Sequence, residues 1–287
     1  MSVTPSTWSL PAGTITLAAT PIGNPLDASP RLRLALTQAD VIAAEDTRRL
    51  AGLASRLGVD IEARIVSSHE HNEAARIPQL LEAARAGQRV VVVSDAGMPT
   101  VSDPGFPLVE AAAEAGVPVS VIPGPSAPLV ALACSGLPTA RFSFEGFLPR
   151  KSGERRETFA ALKDARRTLI FFDSPRRLAD SLADASAVFG PDRPAAVCRE
   201  LTKQHEDVWR GTLAQLAERA GEGVLGEIVV LIGPAPQEAS ADVDALVQKA
   251  LELAAGGMRL KAATKFVAKE AGASARDVYE AALQARD

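Results

Sequence analysis

Sulfur and aromatic side chains are scarce in this chain of 287 residues, which has two cysteines, one tyrosine, two tryptophans and nine phenylalanines. Cys134 and Cys198 cannot make the disulfide framework that staples small secreted domains, so a reducing, cytoplasmic setting with both thiols buried is expected. The three histidines are badly placed for a metal. His69 and His71 stand at i and i+2, off any shared helix face, and no cysteine lies at ligand spacing, so no metal site is expected. His205, beside Glu206, reads as a solvated loop residue near a crevice. A formal charge of −4 excludes holding nucleic acid by bulk charge but leaves room for a local basic patch. Long apolar runs are missing too. The first twenty residues lack a basic start, Ile15 to Ala19 is too short for a signal core, and five prolines interrupt the uncharged stretch Ala115 to Ala140, so neither export nor a membrane span is expected. There is no Walker A sequence and no Gly-x-Ser-x-Gly elbow. The Gly221–Gly226 Gly-x-Gly-x-x-Gly follows a helix and precedes a strand, the reverse of a dinucleotide fold, and reads as a turn.

What is present is a globular composition, 47% hydrophobic and 23% charged, with alternating α/β patterning. Strands are expected at Thr14 to Ala19, Val41 to Ala44, Arg64 to Val66, Arg89 to Val93 and Val119 to Ile122. A second set follows at Phe142 to Glu145, Thr168 to Phe172, Ala195 to Cys198 and Glu227 to Ile232. Helices are expected near Glu154 to Ala165, Arg176 to Ala187 and Leu213 to Ala220, and Ser29-Pro30 should cap the first helix of the chain. The expected organisation is two α/β domains, 1–122 and 123–236, and a helical tail, 237–287. The tail begins after a Pro/Ala/Ser linker, and a Ser274-x-x-Asp277 cap opens its third helix. The tail resembles a helix-turn-helix, whose last helix would expose Arg276, Tyr279, Gln284 and Arg286.

The most informative stretch is Val90 to Ala127. The strand Arg89 to Val93, β-branched enough to be covered on both faces, runs into Ser94–Gly105, and Val119–Ile122 runs into Pro123-Gly124-Pro125-Ser126-Ala127. Such strands deliver ligand loops at their carboxyl ends; glycine lets backbone N–H groups approach a ligand and proline fixes loop shape beforehand. The two loops should meet over one crevice and suit a small polar cofactor. Glu45-Asp46-Thr47-Arg48-Arg49 follows another strand end. Helix capping by Asp46 or Thr47 explains part of it, but arginines disfavour a helix N-terminus. The run Arg150 to Arg156, with Arg166-Arg167 and Arg176-Arg177, is the most cationic region and suggests a phosphate-rich partner, against the plainer reading of a solvated helix face. Phe142, Phe144 and Phe147 read as core.

Eight pieces, in order, resemble the tetrapyrrole methylase superfamily of S-adenosylmethionine-dependent methyltransferases, and within it the branch that methylates ribose 2′-oxygens of small-subunit ribosomal RNA. They are Ala19–Asn24, Ala44–Arg48, His69–Glu73, Ser94–Gly105, Pro123–Ala127, Phe147–Lys151, Arg199–Lys203 and Gly226–Ile228. The resemblance spans Ile15 to Pro234, and the tail looks like that branch's too. Two departures stand out: Met98 replaces an expected Thr, and Phe172-Asp173-Ser174-Pro175-Arg176-Arg177 replaces a Tyr-Glu-Ser-Pro-His-Arg-like run.

The resemblance implies a cleft between two α/β domains, a homodimer, and methyl transfer to a cytidine ribose in the decoding region of 16S rRNA within the small ribosomal subunit. By position it implies cofactor contacts from Pro21, Gly97, Met98, Val101, Ser102, Ser126 and Ala127, with Phe172, Leu201 and Glu227 closing the far side. Candidates for assisting loss of the alcohol proton are Glu45, Asp46, Asp103 and Lys203. Candidates for RNA phosphate contact are Arg48, Arg49, Lys151, Arg155 and Arg156. The alternatives are a methylase of a small tetrapyrrole and, from another class, a ligand-responsive nucleic-acid-binding regulator.

Overall fold

A computed structural model describes residues 8–236, 243–271 and 273–285; the expected linker beyond Pro236 and the expected exposure of Arg286 lie outside them. The first half builds one parallel sheet. Its elements, in chain order, are β1 (Thr14–Ala18), α1 (Pro30–Gln38), β2 (Val41–Ala44), α2 (Thr47–Leu57), β3 (Arg64–Ser67), α3 (Glu73–Arg85), β4 (Arg89–Val93), α4 (Phe106–Glu114) and β5 (Val119–Ile122). The strand order is β3-β2-β4-β1-β5, with every pairing parallel. Parallel sheets need apolar cover on both faces, and Val90 to Val93 are buried accordingly. Leu32 and Leu36 of α1 with Leu50 and Leu53 of α2 cover one face. Leu80 and Ala84 of α3 with Leu108 and Ala112 of α4 cover the other. Capping follows sequence: the Ser29 hydroxyl accepts from the Leu32 amide at 3.1 Å, and the Asp46 carboxylate accepts from the Arg48 amide at 2.8 Å.

The second half comprises α5 (Ala127–Ser135), β6 (Phe142–Phe147), α6 (Ser152–Ala161), β7 (Thr168–Asp173), α7 (Leu178–Phe189), β8 (Pro194–Arg199), β9 (Asp207–Thr212), α8 (Leu213–Ala220) and β10 (Ile228–Ile232). Its strand order is β6-β7-β10-β8-β9, parallel only between β6 and β7. Phe159, Leu182 and Leu216 of α6, α7 and α8 bury one face. The other face receives Ala131 and Leu132 of α5 together with Ile22 from the loop after β1, so a residue of the first half is built into the second half's core.

Three expectations change. Strand β9 is an addition: Asp-Val-Trp-Arg-Gly-Thr is an edge strand with too little apolar alternation to stand out. Cys134 is only partly buried, although Cys198 is fully so; their sulfurs lie 3.7 Å apart. Phe142 and Phe147 are 42% and 64% exposed, not core, while Phe144 does pack against the second sheet.

Residues Met1–Gly233 form one compact unit and Pro234–Asp287 another. The second holds α9 (Val243–Ala255), α10 (Leu260–Glu270) and α11 (Ala275–Gln284), packed around Val247, Ala250, Val267 and Val278. Among the described residues no helix is long and apolar enough to cross a membrane.

Candidate active site

In an open parallel sheet a crevice opens where neighbouring strands send their connections to opposite sides. Here β1 and β4 are neighbours; β1 leads toward β2 on one side and β4 toward β5 on the other. The loops leaving them are laced together, since Thr20 and Gly97 exchange backbone hydrogen bonds of 2.9 and 3.1 Å. Gly97 has φ of +92°, a conformation that favours glycine. Thr100 and Ser102 are also left-handed, at φ +76° and +62°, without being glycine. Strain of this kind persists only where the surroundings over-determine it, and it clusters at functional sites. Beside this loop, Gly124 lies so close to β1 that a Cβ would sit 2.8 Å from the Ala19 Cβ. Neither Gly105 at the start of α4 nor Ser126 at the start of α5 gives its helix a side-chain cap. The amides of Met98, Ser102 and Asp103 likewise have no acceptor among the described residues. The result is a loop pair with backbone donors to spare.

The opposite wall comes from the second sheet: Phe172 on β7, Leu201 after β8 and Glu227 before β10. Glu200 and Thr202, at φ +51° and +65°, repeat the strain of the facing loop. The Glu200 carboxylate accepts from the Glu227 amide and from Lys203 Nζ, both at 2.9 Å, and Lys203 Nζ also reaches Glu227 at 3.1 Å. Gly226, at φ +96°, fits against the Glu200 side chain with no room for a Cβ.

Between the walls lies a 460 Å³ cleft, which shares lining residues with a smaller 80 Å³ pocket. Gly97, Met98, Val101, Ser102, Ser126, Ala127 and Phe172, seven of the ten expected cofactor contacts, line the smaller pocket. Leu201 and Glu227 line the larger cleft with Glu45 and Asp103. Pro21 lines an adjoining 640 Å³ opening, which also carries Asp46, Arg48, Arg49 and Arg56. Sequence reasoning missed Ala96, which lines all three spaces, and Phe147, which lines two. Ala96 lies within the Ser94–Gly105 piece, but its residue type does not single it out there. Phe147 opens the Phe147–Lys151 piece, and its place among motif residues was the available signal.

Electrostatics separates the four proton-transfer candidates. Burial, then the neighbouring carboxylates of Glu45 and Asp95, lift Asp103 to about 7, with the Ser94 hydroxyl opposing. Glu45 is also raised, mainly by burial, although the Asp95 amide donates to it at 3.2 Å. Hydrogen bonds from the Arg48 side chain and backbone hold Asp46 far below the usual carboxylate range. Partial burial works against the Lys203 charge, but hydrogen bonds to Glu200 and Glu227 outweigh it and keep the ammonium protonated. Asp103 can therefore exchange a proton near neutral pH, and Glu45 is displaced in the same direction, whereas Asp46 and Lys203 are held in their charged forms.

The basic candidates divide too. Arg48 and Arg49 border the wide opening, with Arg48 paired to Asp46 at 2.8 Å and Arg49 to Asp95 at 3.3 Å. Arg155, expected at an RNA surface, is a correction: its side chain is 3% exposed and its guanidinium is bonded to Asp184 at 2.5 Å and to the Pro149 and Arg150 carbonyls. Lys151 is exposed but bridged to Glu154, and Arg156 shares Asp184. The cationic run is thus largely neutralised by its own neighbours. Lys151, Arg155 and Arg156 line none of the three spaces. His205 is exposed on the loop after β8.

Comparison with known proteins agrees with this geometry. The family model for Tetrapyrrole (Corrin/Porphyrin) Methylases matches residues 14–217. Ribosomal RNA small subunit methyltransferase I of Mycobacterium bovis is 51% identical over 277 residues, 96% of each chain. The protein of the same name from Mesorhizobium japonicum is 46% identical over 273 residues, 94% of this chain and 92% of that one. Among solved structures, uroporphyrin-III C-methyltransferase of Thermus thermophilus, complexed with S-adenosylhomocysteine, superposes with a TM-score of 0.54 at 21% identity, covering 77% of this chain and 96% of that one. The chain belongs to the tetrapyrrole methylase family, in the group represented by the ribosomal RNA small subunit methyltransferases I.

Proposed function

We propose that this protein transfers a methyl group from S-adenosylmethionine to the ribose 2′-oxygen of a cytidine in the decoding region of 16S rRNA. The carrying observation is that Asp103, a carboxyl lifted to about 7, lines the same donor-rich pocket as Met98 and Ser102 and also the neighbouring cleft. The residues present fit the cofactor. The unpaired amides of Met98, Ser102 and Asp103 and the uncapped start of α5 suit its carboxylate, while Ala127, Phe172 and Leu201 offer apolar surface for a purine. When bound, S-adenosylmethionine supplies a methyl carbon made electrophilic by its sulfonium.

The protein's own contribution is alignment and proton management. In-line displacement needs oxygen, carbon and sulfur on one axis, and holding them there accounts for much of the rate. The proline-braced loops after β4 and β5, the first of them strained at Thr100 and Ser102, are walls of that kind. Asp103 accepts the ribose hydroxyl proton as the oxygen–carbon bond forms. Burial, and then the Glu45 and Asp95 carboxylates, disfavour its ionised form and so raise its basicity to the working pH. Arg48 and Arg49, at the rim of the wide opening, receive backbone phosphates, which position RNA without reading its sequence. Lys151 remains a phosphate contact at a distance from the cleft, and the Lys203–Glu200–Glu227 cluster holds the far wall in place.

The working form is a homodimer in the cytoplasm. Supporting this, β5 is an edge strand with Val119 and Val121 37% and 42% exposed, and α5 leaves Leu129 52% exposed; unpaired apolar edges of this kind are usually covered. The test is incubation with labelled S-adenosylmethionine and small ribosomal subunits from a strain lacking this protein, with a tetrapyrrole acceptor in parallel. Label is expected in RNA. Label confined to the tetrapyrrole would overturn the assignment.

A further inference from the structure

The tail divides its charge unevenly among three helices. On α10, Lys261, Lys265 and Lys269 recur at four-residue spacing, all three exposed, in one stripe with about 6 Å between successive side chains. None of them has a carboxylate within salt-bridge distance among the described residues; the acid of that helix, Glu270, is bridged instead to Lys249 of α9 at 3.4 Å. Arg259, exposed at the N-cap, adds one more cation at the start of this helix. Phe266, beside Lys265 and 48% exposed, places an aromatic face at its margin. The contrast with α11 is sharp, although a helix-turn-helix reading would give that helix the contact. Its Arg276 is bonded to Glu280 at 2.9 Å, Tyr279 is half-buried, and Asp277 and Glu280 are exposed.

We propose that α10, not α11, is the tail's RNA-binding face: Lys261, Lys265 and Lys269 contact successive phosphates of one strand, and Phe266 stacks on an adjacent unpaired base. The inference rests on the rRNA methyltransferase reading above. A −4 protein whose basic run at 150–156 is mostly tied up internally needs uncompensated cations elsewhere, and α10 holds a coherent row of them. Unpaired lysines in register with a polyanion release counterions on binding, whereas bridged ones such as Lys249 release few. An exposed aromatic beside them is the combination that single-stranded nucleic acid prefers.

The experiment uses the full chain carrying Lys261→Gln, Lys265→Gln and Lys269→Gln together, with the three-arginine variant and Arg276→Gln as companions. Binding to a decoding-region rRNA fragment and to small subunits is measured across a salt series, alongside cofactor affinity. The glutamine variant should bind RNA about tenfold or more weakly, with a salt slope shallower by about 2, a raised KM for subunits and unchanged cofactor affinity. The arginine variant should bind like wild type, and Arg276→Gln should change nothing. Unchanged affinity and slope in the glutamine variant, while wild type binds and methylates, overturns this inference alone. Loss of binding to subunits but not to the RNA fragment also overturns it, because the stripe would then meet a protein. Wild type that neither binds nor methylates rRNA overturns the underlying reading as well.

Discussion

At the residue scale the decisive group is Asp103. Its neutral form is favoured in the fold, so the stability it contributes is complete below its unfolded pKa near 3.8 and is lost as pH rises through about 7. Asp103→Asn should therefore melt higher than wild type at about pH 8 and level with it at about pH 4, as calorimetry would read. The same substitution removes the base proposed for the methyl transfer. Turnover should fall by about 10² to 10⁴ with cofactor affinity retained, and the limb of kcat rising through about pH 7 should vanish. Glu45→Gln removes a charge that raises Asp103 and should move that limb to lower pH. Sequence brought Asp103 onto a list of four but could not rank them, because burial and the neighbouring carboxylates exist only once the loops after β2 and β4 meet. Arg155 shows the converse. In sequence it belongs to a basic run; in the fold it is the buried partner of Asp184. Asp184→Ala, leaving that charge uncompensated, should cost about 3 kcal/mol or more, measured by urea unfolding, whereas Lys151→Glu should leave stability and cofactor affinity intact and weaken RNA binding.

At the element scale, the parallel half was legible because β2, β4 and β5 are short apolar runs bounded by turn residues, and their carboxyl ends carry the motifs. Strand β9 was not: its Arg210 and Gly211 break the alternation, and it is recruited by pairing with β8 along its length. The Thr212–Gln215 capping box that follows was the overlooked sign that a segment ended there. Loop geometry was half legible. Proline and glycine announced the loops after β4 and β5, but the left-handed Thr100, Ser102, Glu200 and Thr202 carry no sequence signal. Gly124→Ala tests how tightly those loops are set. A Cβ against Ala19 must push the β5–α5 loop off β1, and a fall in cofactor affinity of about tenfold or more is expected by calorimetry, since small displacements of positioning groups are costly; unchanged affinity would mean the loop has slack.

At the scale of the whole molecule, a modestly acidic protein would meet a polyanion through cations grouped at particular places, the rim arginines of the wide opening and the unbridged α10 stripe, rather than by net charge. The proposed pairing across the β5 edge predicts that Val121→Lys halves the mass measured by light scattering while leaving monomer folding intact; an unchanged dimeric mass would overturn that pairing. The central claim is the atom that is methylated, and alkaline hydrolysis of rRNA from treated subunits reads it directly, because a 2′-O-methyl group removes the nucleophile that cleaves the adjacent phosphodiester. One newly resistant linkage is expected, 3′ to a single cytidine of the decoding region, dependent on S-adenosylmethionine and lost with Asp103→Asn. Label on a base, with every linkage still cleaved, would contradict it.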